Sequence, residues 1–393
     1  MTQDGNDPLS LTKGSPLGDI PLDVFLRDYW QKKPCLVRQA FPDFRPVLDE
    51  NDVAGLACEE LAESRLVTGN HEQANWQLEQ GPFTEDRLSR LPETDWCLLV
   101  QDVEKHYPPL QSLLENFDFL PSWRMDDLMV SVSAPGGSVG PHVDQYDVFL
   151  LQASGQRRWQ VNEIFNPDLL SGSELRVLKE FTPREEWLLY PGDMLYLPPG
   201  VAHFGLATTL GMTWSIGLRA PSLADLFQAY GEWLAEHNNE GRRYTDPPFT
   251  KPRQAGEIST TELARLARLM ETGNQGGDGH LGLDAFLGSF LSRYRLAHQP
   301  AAPGKQVDLP VLEKALNKGA RLQRNPWTRL NWIVHEGQAL LFAAGDSFPC
   351  SGKFAPVLCG PELPGTGWPD LDLDDARTVV ELLNTGHLWL EKP

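Results

Sequence analysis

The chain has 393 residues, 41% hydrophobic and 22% charged, a length and balance that fit a globular protein of two or three domains with a sizeable core. Its formal net charge of −20 leaves it without the basic surface that naked nucleic acid requires, while suiting it to a basic partner. Residues 1–10 lack the positive and apolar segments of a secretory signal, no run of about 18 apolar residues offers a membrane span, and five cysteines without a CxxC pair suit buried thiols in a reducing compartment; a cytoplasmic protein with no membrane association is expected.

The first stretch, to about Arg124, mixes helix and strand. Asp23 to Trp30 has a helical pattern stopped by Lys33-Pro34, and Cys35-Leu36-Val37 begins a strand. Asn51-Asp52 is the expected cap of a helix running through Glu63, with Val53, Leu56 and Leu61 apolar. Trp96 to Val100 reads as a short buried strand. His71 and His106 lie in polar sequence with no partner at ligand spacing and are read as ordinary surface or core histidines.

Residues Asp126 to Leu218 form the expected chemical unit. Met129 to Ser133 and Val148 to Leu151 are rich in β-branched and apolar residues and read as strands. Between them stands Gly136-Gly137-Ser138-Val139-Gly140-Pro141-His142-Val143-Asp144. In an extended segment the period of two puts His142 and Asp144 on one face. Pro191 to Pro198 reads as turn, strand, turn, and the tight turn Pro198-Pro199-Gly200 delivers His203 at a strand edge. Two imidazoles and one carboxylate on one side of a divalent ion leave its other positions open, the arrangement of non-haem Fe(II) oxygenases. Arg157 begins the strand Arg157 to Val161, and a guanidinium matches the distal carboxylate of a 2-oxoglutarate co-substrate with two parallel hydrogen bonds. Alternation lets only one of Arg157 and Arg158 face inward. Strands with short Gly/Pro turns predict a double-sheet jelly roll. Asn162 to Trp187 is an irregular, charged excursion that either borders a substrate entrance or covers a sheet edge.

From Pro221 the pattern turns helical. Leu223, Leu226, Phe227, Tyr230 and Leu234 share a face; Ser259 and Glu262 make a capping box ahead of Leu263, Leu266, Ala267 and Met270; Leu283, Phe286, Leu287, Phe290, Leu291 and Tyr294 form a third stripe. After a break at His298 to Gly304 come a helix over Pro310 to Gly319, a hairpin of Asn331 to Val334 with Gln338 to Ala343, a helix over Leu371 to Leu383 and a closing strand at His387 to Leu390. This unit resembles a winged helix. From Val307 on it holds 8 Lys/Arg against 11 Asp/Glu, so a scaffold or protein-contact role is favoured over DNA binding.

The stretches His142 to Trp159 (HVDQYDVFLLQASGQRRW) and Pro191 to His203 resemble the JmjC-type 2-oxoglutarate oxygenases. Tyr29 to Pro34, Gly136 to Phe149 and Ser215 to Pro221 resemble more closely the bacterial ribosomal oxygenases, which hydroxylate an arginine of the large-subunit ribosomal protein numbered sixteen. The resemblance implies an α+β architecture: a double-stranded β-helix of the cupin/JmjC kind with its N-terminal extension (residues 1–220), a helical segment that dimerises the family (221–299), and a C-terminal winged-helix-like domain (305–393). Carried over by position, His142, Asp144 and His203 match the iron ligands, Arg157 the anchor of the distal carboxylate, and Ser133 and Thr213 small polar residues that help hold the co-substrate. The expected reaction uses Fe(II), 2-oxoglutarate and O2, gives succinate and CO2, and hydroxylates an arginine of a basic ribosomal protein. A homodimer is implied, with no direct nucleic-acid binding. An arginine needs an acceptor-lined or aromatic slot, for which Tyr146, on the His142 face, ranks above Asp147. Three alternatives stand beside this: the same chemistry on another protein residue such as histidine, asparagine or methyl-lysine; a metal cupin that uses no 2-oxoglutarate; and a non-catalytic cupin-like binding or assembly protein.

Overall fold

The computed structural model describes residues 15–237, 243–246, 259–272, 282–335, 338–360, 363 and 371–391. It divides into two units, Met1–Ala220 and Pro221–Pro393. The strands of the first are β1 (Cys35–Val37), β2 (Ser64–Thr68), β3 (Gln77–Gln80), β4 (Trp96–Val100), β5 (Met125–Ser133), β6 (His142–Val143), β7 (Asp147–Ser154), β8 (Arg157–Asn162), β9 (Glu185–Leu189), β10 (Met194–Leu197), β11 (Ala202–Ala207) and β12 (Gly211–Leu218). They form an eight-stranded sheet of order β1-β10-β7-β12-β5-β4-β2-β3 and a four-stranded sheet of order β6-β11-β8-β9, with antiparallel pairs throughout. This is the expected JmjC-type jelly roll.

The large sheet is covered on both faces, which is why β7 and β12 read as nearly unbroken apolar runs. Along β7, Val148 and Leu150 pack with Trp159, Val161 and Leu189 of the small sheet. Phe149 and Leu151 alternate to the opposite side, in the layer built by the N-terminal extension. There Phe25, Tyr196 and Phe149 form an aromatic knot, with ring centroids 4.9 to 5.9 Å apart. The N-terminal segments thus roof the outer face of the barrel and leave the inner face for chemistry.

Several sequence expectations shift. The helix Glu50–Leu56 is capped by Asp49, not by Asn51-Asp52: its carboxylate accepts from the amides of Asn51 and Asp52, and the Asp52 side chain returns to the Asp49 amide. It ends at Leu56 rather than Glu63, because the Ala57 carbonyl is taken by Phe83 N and Ser64 Oγ as the chain turns into β2. Strands β2 and β3 were not foreseen; β3 is polar and lies at the sheet edge, where a hydrophobic signal is weak.

The second unit contains the helices Leu223–His237, Thr260–Thr272, Leu283–Arg293, Leu309–Leu316, Ala355–Cys359 and Leu373–Asn384. Its strands are β13 (Arg321–Arg324), β14 (Leu330–His335), β15 (Gln338–Ala343), β16 (Asp346–Cys350) and β17 (Leu388–Glu391). β14, β15 and β16 make one sheet, and β17 pairs with β13. The capping box at Ser259 is present, with Ser259 N donating to Glu262 Oε2 and Glu262 N to Ser259 Oγ. Helix Leu283–Arg293 lies on the sheet of β14, β15 and β16. Gly288 sits on the Phe342 ring so closely that a Cβ would fall 2.2 Å from it. Ser289 Oγ donates to Gly345 O, and Gly345 N donates to Ser292 Oγ at 2.8 Å. The other side of this helix meets Leu223–His237 through Phe286, 4.9 Å from the Tyr230 ring. The glycine-rich stretch Gly273 to Gly279, which precedes this helix, lies outside the described residues. Among the described residues no helix is long and apolar enough to cross a membrane.

Candidate metal centre

β6 and β11 pair antiparallel with His142 directly opposite His203. Directly opposed residues on one sheet face lie about 4.5–5.5 Å apart at Cβ, and here the two imidazole centroids are 4.2 Å apart. Asp144 follows the end of β6, so strand period alone does not hold it. Its carbonyl accepts from Gly200 N at 2.8 Å, which ties the segment to the turn before His203. Its Oδ2 then lies 3.8 Å from His142 Nε2 and 3.5 Å from His203 Nε2. One ligand atom from each of the three residues lies within 4.8 Å of the others, and among the described residues this is the one such group of three or more.

Each imidazole is oriented through its other nitrogen. His142 Nδ1 bonds Gly140 O at 2.9 Å and His203 Nδ1 bonds Val201 O at 3.0 Å. A carbonyl only accepts, so both Nδ1 atoms carry hydrogen and both Nε2 lone pairs point at the shared centre. Burial, reinforced by His142, pushes the His203 imidazole down to about 4, so it is neutral and ready to ligate at neutral pH. The donor set of two nitrogens and one carboxylate on one side fits Fe(II) with open positions opposite.

Arg157 faces inward and is buried, whereas Arg158 turns out to solvent and pairs with Glu186. The Arg157 guanidinium donates to Ser133 Oγ at 3.2 Å, Ser131 Oγ at 3.4 Å and Gly205 O at 3.2 Å, and lies over the Trp159 ring. Its Nε is buried with no partner. Among the described residues no carboxylate pairs with it. A buried guanidinium without a counter-charge is costly, and a dicarboxylate such as 2-oxoglutarate would remove the cost. Gly205 makes room for the guanidinium: a Cβ there would fall 2.6 Å from Arg157 Nε and 2.7 Å from Trp159.

A cavity of about 750 Å³ joins the triad to Arg157. Thr213 lines it, with its hydroxyl donating to Gln152 Oε1 at 3.1 Å. Ser133 accepts from Arg157 and donates to Cys97 Sγ at 3.1 Å, while Ser131, two residues back on the same face, lines the cavity. Tyr146 lines the cavity beside Asp144, its hydroxyl held un-ionised by burial, and the Arg219 guanidinium covers its ring at 4.6 Å. Asp147 points the other way into a buried network, accepting from Arg124 at 2.8 Å, Tyr196 Oη and Gln31 Nε2.

Sequence reasoning missed Asp127, Met129 and Arg219, which also line the cavity. Arg219 ion-pairs with Asp126. Burial, with Asp126 and Glu104 nearby, raises the Asp127 carboxyl to about 8. The signal was present as period two along β5, but without knowledge of the covering wall these residues look solvent-facing. That wall is the excursion after β8, whose Phe165, Pro167, Leu169, Leu175 and Leu178 line the cavity. Leu178 N bonds Pro141 O at 2.7 Å and Leu170 N bonds Val177 O at 2.8 Å, folding the excursion back beside the triad. It lines the cavity and gives way to β9 at Glu185.

Comparison with known proteins agrees with this geometry. A JmjC-domain family matches residues 112–226, and a ROXA-like winged helix matches residues 282–388. The ribosomal protein uL16 3-hydroxylase of Escherichia coli K12 is 37% identical over 310 residues, 76% of this chain and 79% of that protein. A probable ribosomal oxygenase of Haemophilus influenzae is 39% identical over 210 residues, 53% of this chain and 52% of that protein. The solved structure of the Escherichia coli ribosomal oxygenase YcfD with cobalt and 2-oxoglutarate has a TM-score of 0.80 at 32% identity, covering 95% of this chain and 99% of that one.

Proposed function

We propose, because this chain belongs to the bacterial JmjC ribosomal oxygenases, that its substrate is an arginine side chain of ribosomal protein uL16, hydroxylated at the C3 carbon named for its Escherichia coli relative. The chain is an Fe(II)- and 2-oxoglutarate-dependent protein hydroxylase. The observation that carries the substrate reading is one cavity holding three things together: the His142–Asp144–His203 cluster, the uncompensated Arg157, and Tyr146 with Asp127 in its lining, an aromatic ring and a carboxyl of the kinds that bind a guanidinium.

His142, Asp144 and His203 would hold the metal, their side chains fixed by the β6–β11 register and by the two backbone carbonyls on the imidazole Nδ1 atoms. Arg157 binds the distal carboxylate of 2-oxoglutarate, Ser133 steadies Arg157, and Ser131 and Thr213 border the co-substrate. Iron(II) with 2-oxoglutarate and O2 supplies the oxidant for an unactivated C–H bond, with succinate and CO2 as by-products. The stretch from Phe165 to Leu178 lines the cavity with Phe165, Pro167, Leu169, Leu175 and Leu178 together with Glu174 and Arg176. Incubating the protein with Fe(II), 2-oxoglutarate and uL16, then mapping by mass spectrometry, is expected to give one arginine heavier by about 16 Da, the mass of one oxygen atom. Succinate with unmodified uL16 would move the substrate assignment to another residue or protein. A cytoplasmic location is part of this proposal, supported by the ribosomal protein named for the Escherichia coli relative.

Asp127 is assigned as the guanidinium acceptor, and its pH behaviour is the test. With its carboxyl raised to about 8, it is mostly protonated at pH 7 in the free protein, and a bound cation favours the ionised form. The KM for uL16 should therefore fall as pH rises from 6 to 8, by at most about tenfold per unit for one linked proton, and level off above. Asp127→Asn should raise KM at pH 8 and flatten this slope.

The helical segment is assigned to dimerisation. Helix Thr260–Thr272 leaves Leu263 and Met270 exposed, and helix Leu223–His237 leaves Leu223 and Phe227 exposed, apolar area that a second copy would cover. Leu263→Glu combined with Met270→Glu should convert a dimer to a monomer in sedimentation velocity while uL16 hydroxylation persists.

A further inference from the structure

The cavity floor extends past the residues given a role so far. Arg65 on β2 lies opposite Leu99 on β4, and Leu99 lies opposite Ser131 on β5. Gln101, two residues on from Leu99, therefore shares a sheet face with Arg65, Asp127, Met129 and Ser131, and all of them line the cavity. Arg65 Nη2 lies 3.9 Å from Met129 Sδ. Its Nε is buried with no hydrogen-bond partner, and so is Gln101 Oε1. Among the described residues no carboxylate pairs with Arg65, in a chain with 54 acidic residues against 34 Lys and Arg. Buried polar atoms in folded proteins nearly always have partners; both atoms are closed off from open space as they stand, so Arg65 and Gln101 must turn into the cavity that their side chains line to meet a ligand, and an unpaired donor and an unpaired acceptor on these two residues point to what the cavity receives.

The two atoms differ in kind, which narrows the ligand. A small anion would satisfy Arg65 and leave Gln101 unpaired; a cation would do the reverse. A polypeptide main chain offers a carbonyl and an N–H together. In an extended chain, groups facing the same way recur every two residues, at about 6.6 Å. Arg65 and Gln101 are diagonal neighbours on adjacent strands, about 7–8 Å apart at the backbone, a spacing their side chains match easily.

We infer that Arg65 and Gln101 read the main chain of the substrate polypeptide beside the target arginine, Arg65 donating to a carbonyl and Gln101 Oε1 accepting from an N–H. The pair fixes the register of the polypeptide along the cavity, so that the side chain bound by Tyr146 and Asp127 is carried to the metal ligands. The inference rests on the hydroxylase reading above.

The test uses the full chain and synthetic uL16 peptides containing the hydroxylated arginine, with an ester replacing the peptide bond on either side of that arginine in separate peptides. In the wild type, loss of the N–H that Gln101 accepts should raise KM about tenfold for one ester peptide, with kcat little changed. In Gln101→Leu the all-amide peptide should already show that rise, and the ester should add nothing. Arg65→Met should raise KM by a similar factor, with Arg65→Lys recovering part of it. Equal ester penalties in wild type and Gln101→Leu would overturn the assignment, because a merely structural role for Gln101 leaves the ester effect intact. An ester penalty absent from the wild type would overturn it as well. A wild type that makes succinate but hydroxylates none of the peptides would overturn the substrate reading itself, a result distinguishable from both.

Discussion

Replacing His142, Asp144 or His203 by alanine is expected to lower uL16 hydroxylation by at least about a thousandfold, the largest effect of any single change in this chain. Loss of even an outer-shell partner of a metal ligand typically costs about 10–100-fold, and each of these three supplies one of only three protein donors. The loss should track metal content: Fe(II) titration followed by mass-spectrometric quantification should show weaker binding in each variant, with the fold intact by circular dichroism. Intactness is expected because the cluster contributes little to packing. His142 and Asp144 are only half-buried, and the apolar residues around them belong to cores that the substitutions leave in place. A His142→Ala protein that still hydroxylates uL16 at a tenth of the wild-type rate would remove the triad from the mechanism.

Arg157→Met should raise the KM for 2-oxoglutarate by about a hundredfold, since a buried bidentate charge-assisted pair is worth a few kcal/mol and a thioether supplies none of it. Arg157→Lys should recover only part of the affinity, because an ammonium cannot reproduce the two-pronged geometry. The same Arg157→Met substitution should leave the melting temperature of the co-substrate-free protein equal or higher. It removes a buried charge that no carboxylate among the described residues balances. Saturating 2-oxoglutarate, read as succinate release, should then restore much of kcat. A KM that stays within threefold of wild type would mean the distal carboxylate is held elsewhere.

What could be read from the sequence was local in origin. His142 and Asp144 were legible from spacing, and His203 from the Pro-Pro-Gly turn before it. Arg157 was legible as one of an adjacent pair, with burial alone choosing it over Arg158. Even here the physical cause differed in part: β6 ends at Val143, and it is the Gly200 amide on the Asp144 carbonyl that keeps the carboxylate facing the imidazoles. Period two put Ser133 and Ser131 on one face without saying which of them lines the cavity, since it assigns a face but not a depth. The helix at residues 50–56 was found but its cap was misplaced, because Asp49, Asn51 and Asp52 are all competent caps and the hydrogen bonds choose among them.

By itself, then, the sequence picked out His142, Asp144, His203 and Arg157 as candidates, with the alternation of strands that carries them, because each depends on residue types within a few positions of one another. The tertiary structure alone decided what those groups face. The pairing of β6 with β11 brought His203 against His142 across 61 positions of chain. The excursion after β8 folded back as a wall, which turned Asp127, Gln101 and Arg65 from apparent surface residues into the lining of a cavity. Helix Leu283–Arg293 joined the winged-helix sheet because Gly288 lets it rest on Phe342. Such placements depend on contacts between segments far apart in the chain, and neither composition nor periodicity encodes which distant face a polar residue will meet.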